Sequence, residues 1–373
     1  MAGVLPRLTK PGRSSACTAP DAFIAHRYPV DRRQHPKGIV MNYFRYGLLV
    51  SILFGACSGV ALGEAKEVRI AQQYGFSYLQ LIYMRKYELL EKHAADAGLG
   101  DIDVTWTKFA GGNVMNDALL SGSLDFASGG LAPPIKLWAK TRNNDLDVRM
   151  VASMTSAPLF LNTNDPDIES IEDFKQGDQI ALPAVKVSFQ ATLLAMAASQ
   201  QLGPEKADSL NRLTVSMSHP DGMTALLTGQ ITGHFTSPPY QYMELEDPKV
   251  HTVVSSFDIM GGPHSFTVLW TTAKFKNQNP KLYQAFIDAL EEATNMINSD
   301  KRAAAKVYVE EVNSKEPVDS IYQMLSKPNF EFTMVPLNVG KFADFMYESD
   351  MIDVKPESWK DLFFENAHDL GGS

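Results

Sequence analysis

One short element occurs twice in this chain, each time at the same place in a series of alternating strand and helix signals. Ala118-Leu119-Leu120-Ser121-Gly122-Ser123-Leu124 is matched by Ala225-Leu226-Leu227-Thr228-Gly229-Gln230-Ile231. Each reads as a helix end whose glycine takes the left-handed cap conformation and leads straight into a strand. Each then runs into a proline pair, Pro133-Pro134 and Pro238-Pro239. Ala-Leu-Leu-x-Gly is a common helix ending, and alone it carries little. Its recurrence within two βα series points to two related lobes.

The first series has strand signals at residues 68–71, 103–109 and 124–127. Helix signals follow them from Ser77, where Ser77 and Gln80 read as a capping box, from Gly111-Gly112-Asn113 and from Ser128-Gly129-Gly130. The second has strands at 179–183, 213–217 and 231–235, with helices at 188–200 and 222–228. Such alternation predicts mainly parallel sheets with helices packed on them and ligands at the carboxyl ends of the strands. The chain is expected to cross between lobes near 155–162 and return near 261–272, stretches that are apolar or hydroxyl-rich and flanked by Gly and Pro. Past the return it reads as helical. Asn279-Pro280 caps a helix with Leu282, Phe286, Ala289, Ala293 and Ile297 on one stripe, and the later helices are expected to pack back on the first lobe.

The first 65 residues differ in kind. From Met41 the chain runs through an Arg, an apolar stretch at 46–60 and small residues around Ala61-Leu62-Gly63, the order of a secretory signal. That stretch is short for a bilayer span. Residues 1–40, rich in Arg, Pro and Ser, are either a disordered extension or lie ahead of a true start at Met41. Cys57 is a possible lipid-attachment site, although Phe54 stands where an aliphatic residue is normally wanted. Arg32-Arg33 lacks the apolar residues that a twin-arginine signal requires.

Without residues 1–65, which carry +5, the remainder holds −14 where the whole chain holds −9. That charge and the lack of a basic stripe argue against nucleic acid and anionic lipid as partners. Both cysteines, Cys17 and Cys57, fall in the leader, so the rest has neither a disulfide framework nor a thiol nucleophile. A remainder of about 300 residues suits two lobes with their own cores.

Signatures of catalysis are missing. The sequence has no Gly-x-Ser-x-Gly elbow, P-loop or dinucleotide glycine pattern, and its eight histidines show no zinc spacing. Glu291-Glu292 and Glu310-Glu311 read as solvated helix faces. No enzyme activity, cofactor or metal is expected. What remains is a set of loops between strand ends and helix starts, with Gln73, Tyr74, Phe76, Gly112, Asn113, Ser128, Gly129, Gly130, Lys186, Ser188, Phe189, Gln190, Thr236 and Ser237 as candidate ligand contacts. Small residues let backbone N–H groups at helix starts approach a ligand, and those groups favour an anion. Tyr74, Phe76 and Phe189 would supply apolar walls, and Lys186 a counter-charge. His264, on the return crossing, either closes on the ligand or satisfies a turn.

At these residues the chain resembles the type II periplasmic binding proteins of the nitrate, sulfonate and taurine importer group, whose wider family includes thiamine-pyrimidine synthase-like proteins. The resemblance spans residues 68–300. It rests on Val68-Arg69-Ile70-Ala71, the Ala-Leu-x-x-Gly-x-Leu-Asp element ending at Asp125, Ser128-Gly129-Gly130, the segment 168–174, and Pro183 through Gln190. It implies an α/β fold of two lobes joined by a two-strand hinge, with lobe 1 formed by 66–156 and 264–373, lobe 2 by 157–263, and residues 1–65 as extension and signal. It further implies a monomeric periplasmic receptor that closes on a small anionic or aromatic molecule and delivers it to the membrane permease of an ABC importer. A periplasmic sensory module and a thiamine-pyrimidine synthase-like enzyme are the alternatives. The chain departs from the taurine-type pattern at Thr236-Ser237, where Trp is common, and at Gln190, where His is common; both departures weaken a sulfonate assignment.

Overall fold

A computed structural model describes residues 63–373, Asp145 excepted. The leader expected up to residue 65 therefore lies outside the described residues apart from Gly63, Glu64 and Ala65. Among the described residues no helix is long and apolar enough to cross a membrane.

The chain opens with β1 (Glu67–Gln72), α1 (Leu79–Tyr87), α2 (Leu89–Asp96), β2 (Asp103–Lys108), α3 (Gly112–Leu120), β3 (Ala127–Gly129), α4 (Ala132–Thr141) and β4 (Val148–Ser153). A crossing segment carries β5 (Thr155–Ser156) into β6 (Phe160–Thr163). Then come β7 (Ile180–Leu182), α5 (Phe189–Leu202), β8 (Thr214–Ser216), α6 (His219–Leu227), β9 (Gly233–Phe235), α7 (Tyr240–Glu244), β10 (His251–Ser255) and α8 (Ser256–Met260). The return strand β11 (Val268–Thr272) leads to α9 (Ala273–Gln278), α10 (Pro280–Ser299), α11 (Lys301–Val312), α12 (Val318–Leu325), β12 (Glu331–Phe332) and α13 (Val339–Glu348).

Apart from the two-stranded pairing of β5 with β12, the strands form one layer in each lobe, and the two strand orders correspond. In lobe 1, β1 pairs parallel with β2, the Ile70–Phe126 bridge joins β1 to the approach of β3, and β11 runs antiparallel between β3 and β4. The order is thus 2-1-3-11-4. In lobe 2 it is 8-7-9-6-10, with β7 parallel to β8 and β9, and β6 antiparallel to β9 and β10. Each sheet places a strand from a crossing fourth in line and antiparallel. The repeated element lies at equivalent points, between β2 and β3 in lobe 1 and between β8 and β9 in lobe 2, the outermost and third strands of each order. Gly122 and Gly229 have φ of +73° and +72°. Ser123 N–H bonds Ala118 O at 2.9 Å and Gln230 N–H bonds Ala225 O at 2.8 Å, the six-to-one closure that satisfies a carbonyl the helix end would otherwise strand.

The two crossings lie side by side as the expected hinge. Met154 N–H donates to Thr267 O, Phe266 N–H to Thr155 O, and the Ser153 and Ser265 hydroxyls meet at 2.8 Å. A third segment joins them, β12 on β5 and Leu337 on Ser265.

The core of lobe 1 follows the amphipathic pattern. All five stripe residues of α10 are fully buried, and Phe286 stacks on Phe126 with ring centroids 3.9 Å apart. Burying one such phenylalanine contributes about 2–3 kcal/mol.

Local readings differ from the structure at a few points. The helix read from Ser77 starts with a short turn at Phe76–Tyr78; Ser77 makes no cap, and Gln80 instead donates to the hinge carbonyl of Met154 at 2.7 Å. Asn279 does not cap α10. That role passes to Glu64, whose carboxylate accepts from Lys281 and Leu282 N–H, while the Asn279 side chain binds Ala65 N–H. Of the late helices, α13 turns toward lobe 2, with Phe342 4.7 Å from Phe189 and Lys341 donating to Met260 O.

Candidate functional site

The carboxyl ends of the strands of the two lobes face each other, and the lobes meet there with backbone close to backbone. A Cβ on Gly130, just past β3, would lie 2.4 Å from the Cβ of Phe189 at the start of α5. Gly75, past β1 with φ +109°, comes against Pro238 O, 2.6 Å from where a Cβ would stand. Gly111, before α3, lies against Pro183 O less tightly, 3.1 Å from where a Cβ would stand. Lys136 on α4 adds a bond across the gap to Lys186 O at 2.6 Å. Only residues without side chains allow such approach.

On the lobe 1 side, Gln73 is buried along the backbone of β3, its amide donating to Ser128 O at 3.3 Å. Ser128 and Gly129 are the last residues of β3 and not a loop, and the Ser128 hydroxyl is already spent on Ala71 O. Gly112 and Gly129 both lie over the indole of Trp270, whose N–H bonds Asn116. Asn113 is exposed in the first turn of α3. Tyr74 is half-buried at the edge, with the Lys108 ammonium 5.1 Å above its ring.

On the lobe 2 side, three neutral polar groups converge at the ends of β7, β8 and β9. His219 is the first residue of α6, after the Ser218 cap. Its Nδ1 lies 3.0 Å from the Thr236 hydroxyl and its Nε2 3.5 Å from the Gln190 amide. All three side chains are buried. Burial first, and then the neighbouring His234, hold the His219 pKa well below the usual imidazole value, so the ring is neutral. An Nδ1–H donating to Thr236 leaves Nε2 as the acceptor facing Gln190. Behind it His234 pairs with Glu244, which also accepts from Asn162 at 2.8 Å, and Asn162 in turn accepts from Thr252. Tyr240 covers the His219 ring, with centroids 5.8 Å apart and planes at 21°. The Tyr240 phenol is pushed up by burial and further by Tyr74, and that of Tyr308 by burial and then by Tyr240, so Tyr240 of α7 lies within electrostatic reach of two lobe 1 tyrosines.

Ser188 caps α5 by accepting from Ala191 N–H, and Ser237 is buried ahead of Pro238. Phe189 packs into an aromatic group with His264, Phe266 and Phe342. Three expected contacts have other employment. Phe76 is fully buried edge-on against Tyr308 and Phe330 in the lobe 1 core. Lys186 is exposed, and only its carbonyl reaches the other lobe. His264 has both nitrogens engaged, Nδ1 with Ser265 O and Nε2 with the Ser256 hydroxyl, and burial pushes it down to about 4. It satisfies the turn.

His219, Tyr240 and Tyr308 were not among the expected residues. Ser218-His219-Pro220 is a helix-start signature that would have placed His219 at a strand end, had α6 been read from there and not from Gly222. Tyr308 lies far along the chain on α11, and no local pattern marks it. A cavity of about 760 Å³ opens at the opposite end of β1, around Arg69 and Asp125, which are bonded to each other at 2.9 Å. Among the described residues no group of three or more His, Cys, Asp or Glu is placed to hold a metal ion.

Two lobes with this strand order, hinged by two antiparallel segments, make up the periplasmic binding protein fold, and residues 62–311 match the NMT1-like family. The chain belongs to that family. It is similar to an aliphatic sulfonates-binding protein of Escherichia coli (strain K12), 22% identical over 324 residues that cover 84% of this chain and 95% of that one. Among solved structures it is similar to the alkanesulfonate-binding protein SsuA from Xanthomonas axonopodis pv. citri bound to MOPS, at 18% identity and TM-score 0.63, covering 81% of this chain and 99% of that one. The periplasmic nitrate-binding protein NrtA from Synechocystis PCC 6803 superposes at 13% identity and TM-score 0.61, covering 78% and 86%.

Proposed function

We propose that the chain is the solute-binding receptor of an ABC importer, held in the periplasm, whose two lobes close on one small organic molecule and present it to a membrane permease. The observation that carries this reading is the fit of three strand-end segments of lobe 1, at Gly75, Gly111 and Gly130, against two of lobe 2, Pro183 to Phe189 after β7 and Pro238 after β9, beside a buried polar cluster. Such a closed form is what ligand binding stabilises in a hinged receptor. The names of its relatives, sulfonate- and nitrate-binding, support import as the purpose.

A binding role and not a catalytic one is supported by the chemistry at the strand ends. Gln73, Gln190, Thr236 and His219 are hydrogen-bonding groups; the one hydroxyl–imidazole pair among them, Thr236 with His219, has a neutral amide at 3.5 Å as its third partner and, among the described residues, no carboxylate to support a charged imidazolium. The site residues proposed are these four with Tyr74, Ser188 and Ser237, the glycines serving close approach.

Protein purified from the periplasmic fraction of expressing cells is expected to carry one small molecule, released intact on denaturation and identified by mass spectrometry. Refolded protein should rebind it with one saturable site. Turnover of that molecule by the purified protein would overturn the reading.

A further inference from the structure

The lobe 2 half of the cleft is chemically unlike a site for a strong anion. At the helix starts that would hold one, a serine cap already takes one N–H: Ser188 that of Ala191 on α5, and Ser218 that of Asp221 on α6. The α6 cap is itself bonded to the Asp221 carboxylate at 2.5 Å, which sets a negative charge in the first turn, where an anion would have to sit. Of the lysines nearest the strand ends, Lys186 is exposed, Lys108 lies over the Tyr74 ring of lobe 1, and the Lys136 ammonium, also of lobe 1, is spent on Lys186 O.

What converges instead is Gln190, His219 and Thr236. All are uncharged, and together they offer donors and acceptors. The weakest bond among them is the 3.5 Å contact between the Gln190 amide and His219 Nε2, at the limit of hydrogen bonding, while the other edge of the ring is fixed by Thr236 at 3.0 Å. A ligand donor can replace the Gln190 amide on Nε2, and the amide, freed, can serve a ligand acceptor alongside. The Tyr240 ring lies near parallel to His219, 5.8 Å between centroids, and sets an aromatic group beside the polar cluster.

We infer that His219 is a specificity-determining residue, and that with Gln190 it reads an uncharged ligand edge carrying a donor and an acceptor side by side, as in an amide, lactam or urea. This deepens the receptor reading and rests on it. A site built to pair such an edge rejects an analogue that leaves its groups unmatched, and in the tautomer that the Gln190 amide selects a carboxylate or sulfonate offers His219 Nε2 no proton.

The test uses probe pairs that share a framework and differ in charge: benzamide with benzoate, nicotinamide with nicotinate, and benzenesulfonamide with benzenesulfonate, with taurine and nitrate as further anions. Titration calorimetry on protein stripped by unfolding and refolding is expected to give binding by uncharged members at least about tenfold tighter than by their anionic partners. His219→Leu should abolish that preference and His219→Asn, which keeps an acceptor, should retain part of it. Gln190→Leu is the second variant should His219→Leu fail to refold, and is expected to weaken the uncharged members in the same way. Tighter binding of the anions, no binding of any uncharged member, or unchanged affinities in the variants overturn the inference. Anion binding accompanied by lobe closure in solution scattering would remove this inference and leave the receptor reading standing. Turnover of the co-purified molecule would remove the receptor reading itself.

Discussion

Phe189 of lobe 2 sits so closely over Gly130 of lobe 1 that a Cβ on Gly130 would lie 2.4 Å from the Phe189 Cβ. The two residues belong to different lobes, so the conflict a larger side chain creates is relieved most easily by keeping the lobes apart. The backbone of Gly130 needs no left-handed conformation, and Gly130→Val is expected to fold. It should lower ligand affinity by about tenfold or more, since apparent affinity falls with the population of the competent form. Solution scattering with ligand present should give a larger radius of gyration for the variant than for the parent; an equally compact variant with parental affinity would contradict this.

Two candidate contacts should separate stability from binding. Phe76 fills the lobe 1 core against Tyr308 and Phe330, so Phe76→Ala should cost about 3–5 kcal/mol in urea unfolding through the cavity it leaves. Phe76→Leu should cost less. Lys186→Ala should change neither the unfolding midpoint nor the affinity for the co-purified ligand, because its ammonium is exposed. A large affinity loss in Lys186→Ala would return it to the site.

His264 makes a specific demand on pH. Its folded pKa, pushed by burial to about 4, lies below the usual value of 6.5. The unfolded chain therefore takes up a proton first as pH falls, and stability that is whole above pH 6.5 is lost down to pH 4, by on the order of 3 kcal/mol. His219 shifts in the same direction. Denaturant unfolding at pH 7.5 and pH 4.5 should show a drop that shrinks in His264→Gln, while a drop of the same size in that variant would exclude His264 as its source.

Glu64 is the far partner of α10. Its carboxylate takes two N–H groups of the first turn, from Lys281 and Leu282, that no residue next to the helix satisfies. Glu64→Ala should lower stability by about 0.5–2 kcal/mol, the usual worth of a helix cap. Ligand affinity measured in the same protein should stay as it was, since α10 lies on the lobe 1 core away from the strand ends.

Local chemistry alone made part of this fold legible along the chain. Ala-Leu-Leu-x-Gly specifies a helix stop within five residues, because only the glycine takes φ near +72° without strain, and so Gly122 and Gly229 announced the duplication before any strand was paired. The stripe on α10 and the glycines at strand ends were legible for the same reason. Which side chains face the other lobe depends instead on long-range packing. Phe76 goes inward because Tyr308 and Phe330, more than two hundred residues later, build a pocket for it; Lys186 turns outward because its carbonyl and not its ammonium meets Lys136. His219 gains its place from Thr236 and Gln190 on two other elements, brought together by the strand order 8-7-9. Periodicity fixes a residue's position along an element, whereas the direction and partners of its side chain depend on contacts that form only when distant segments pack.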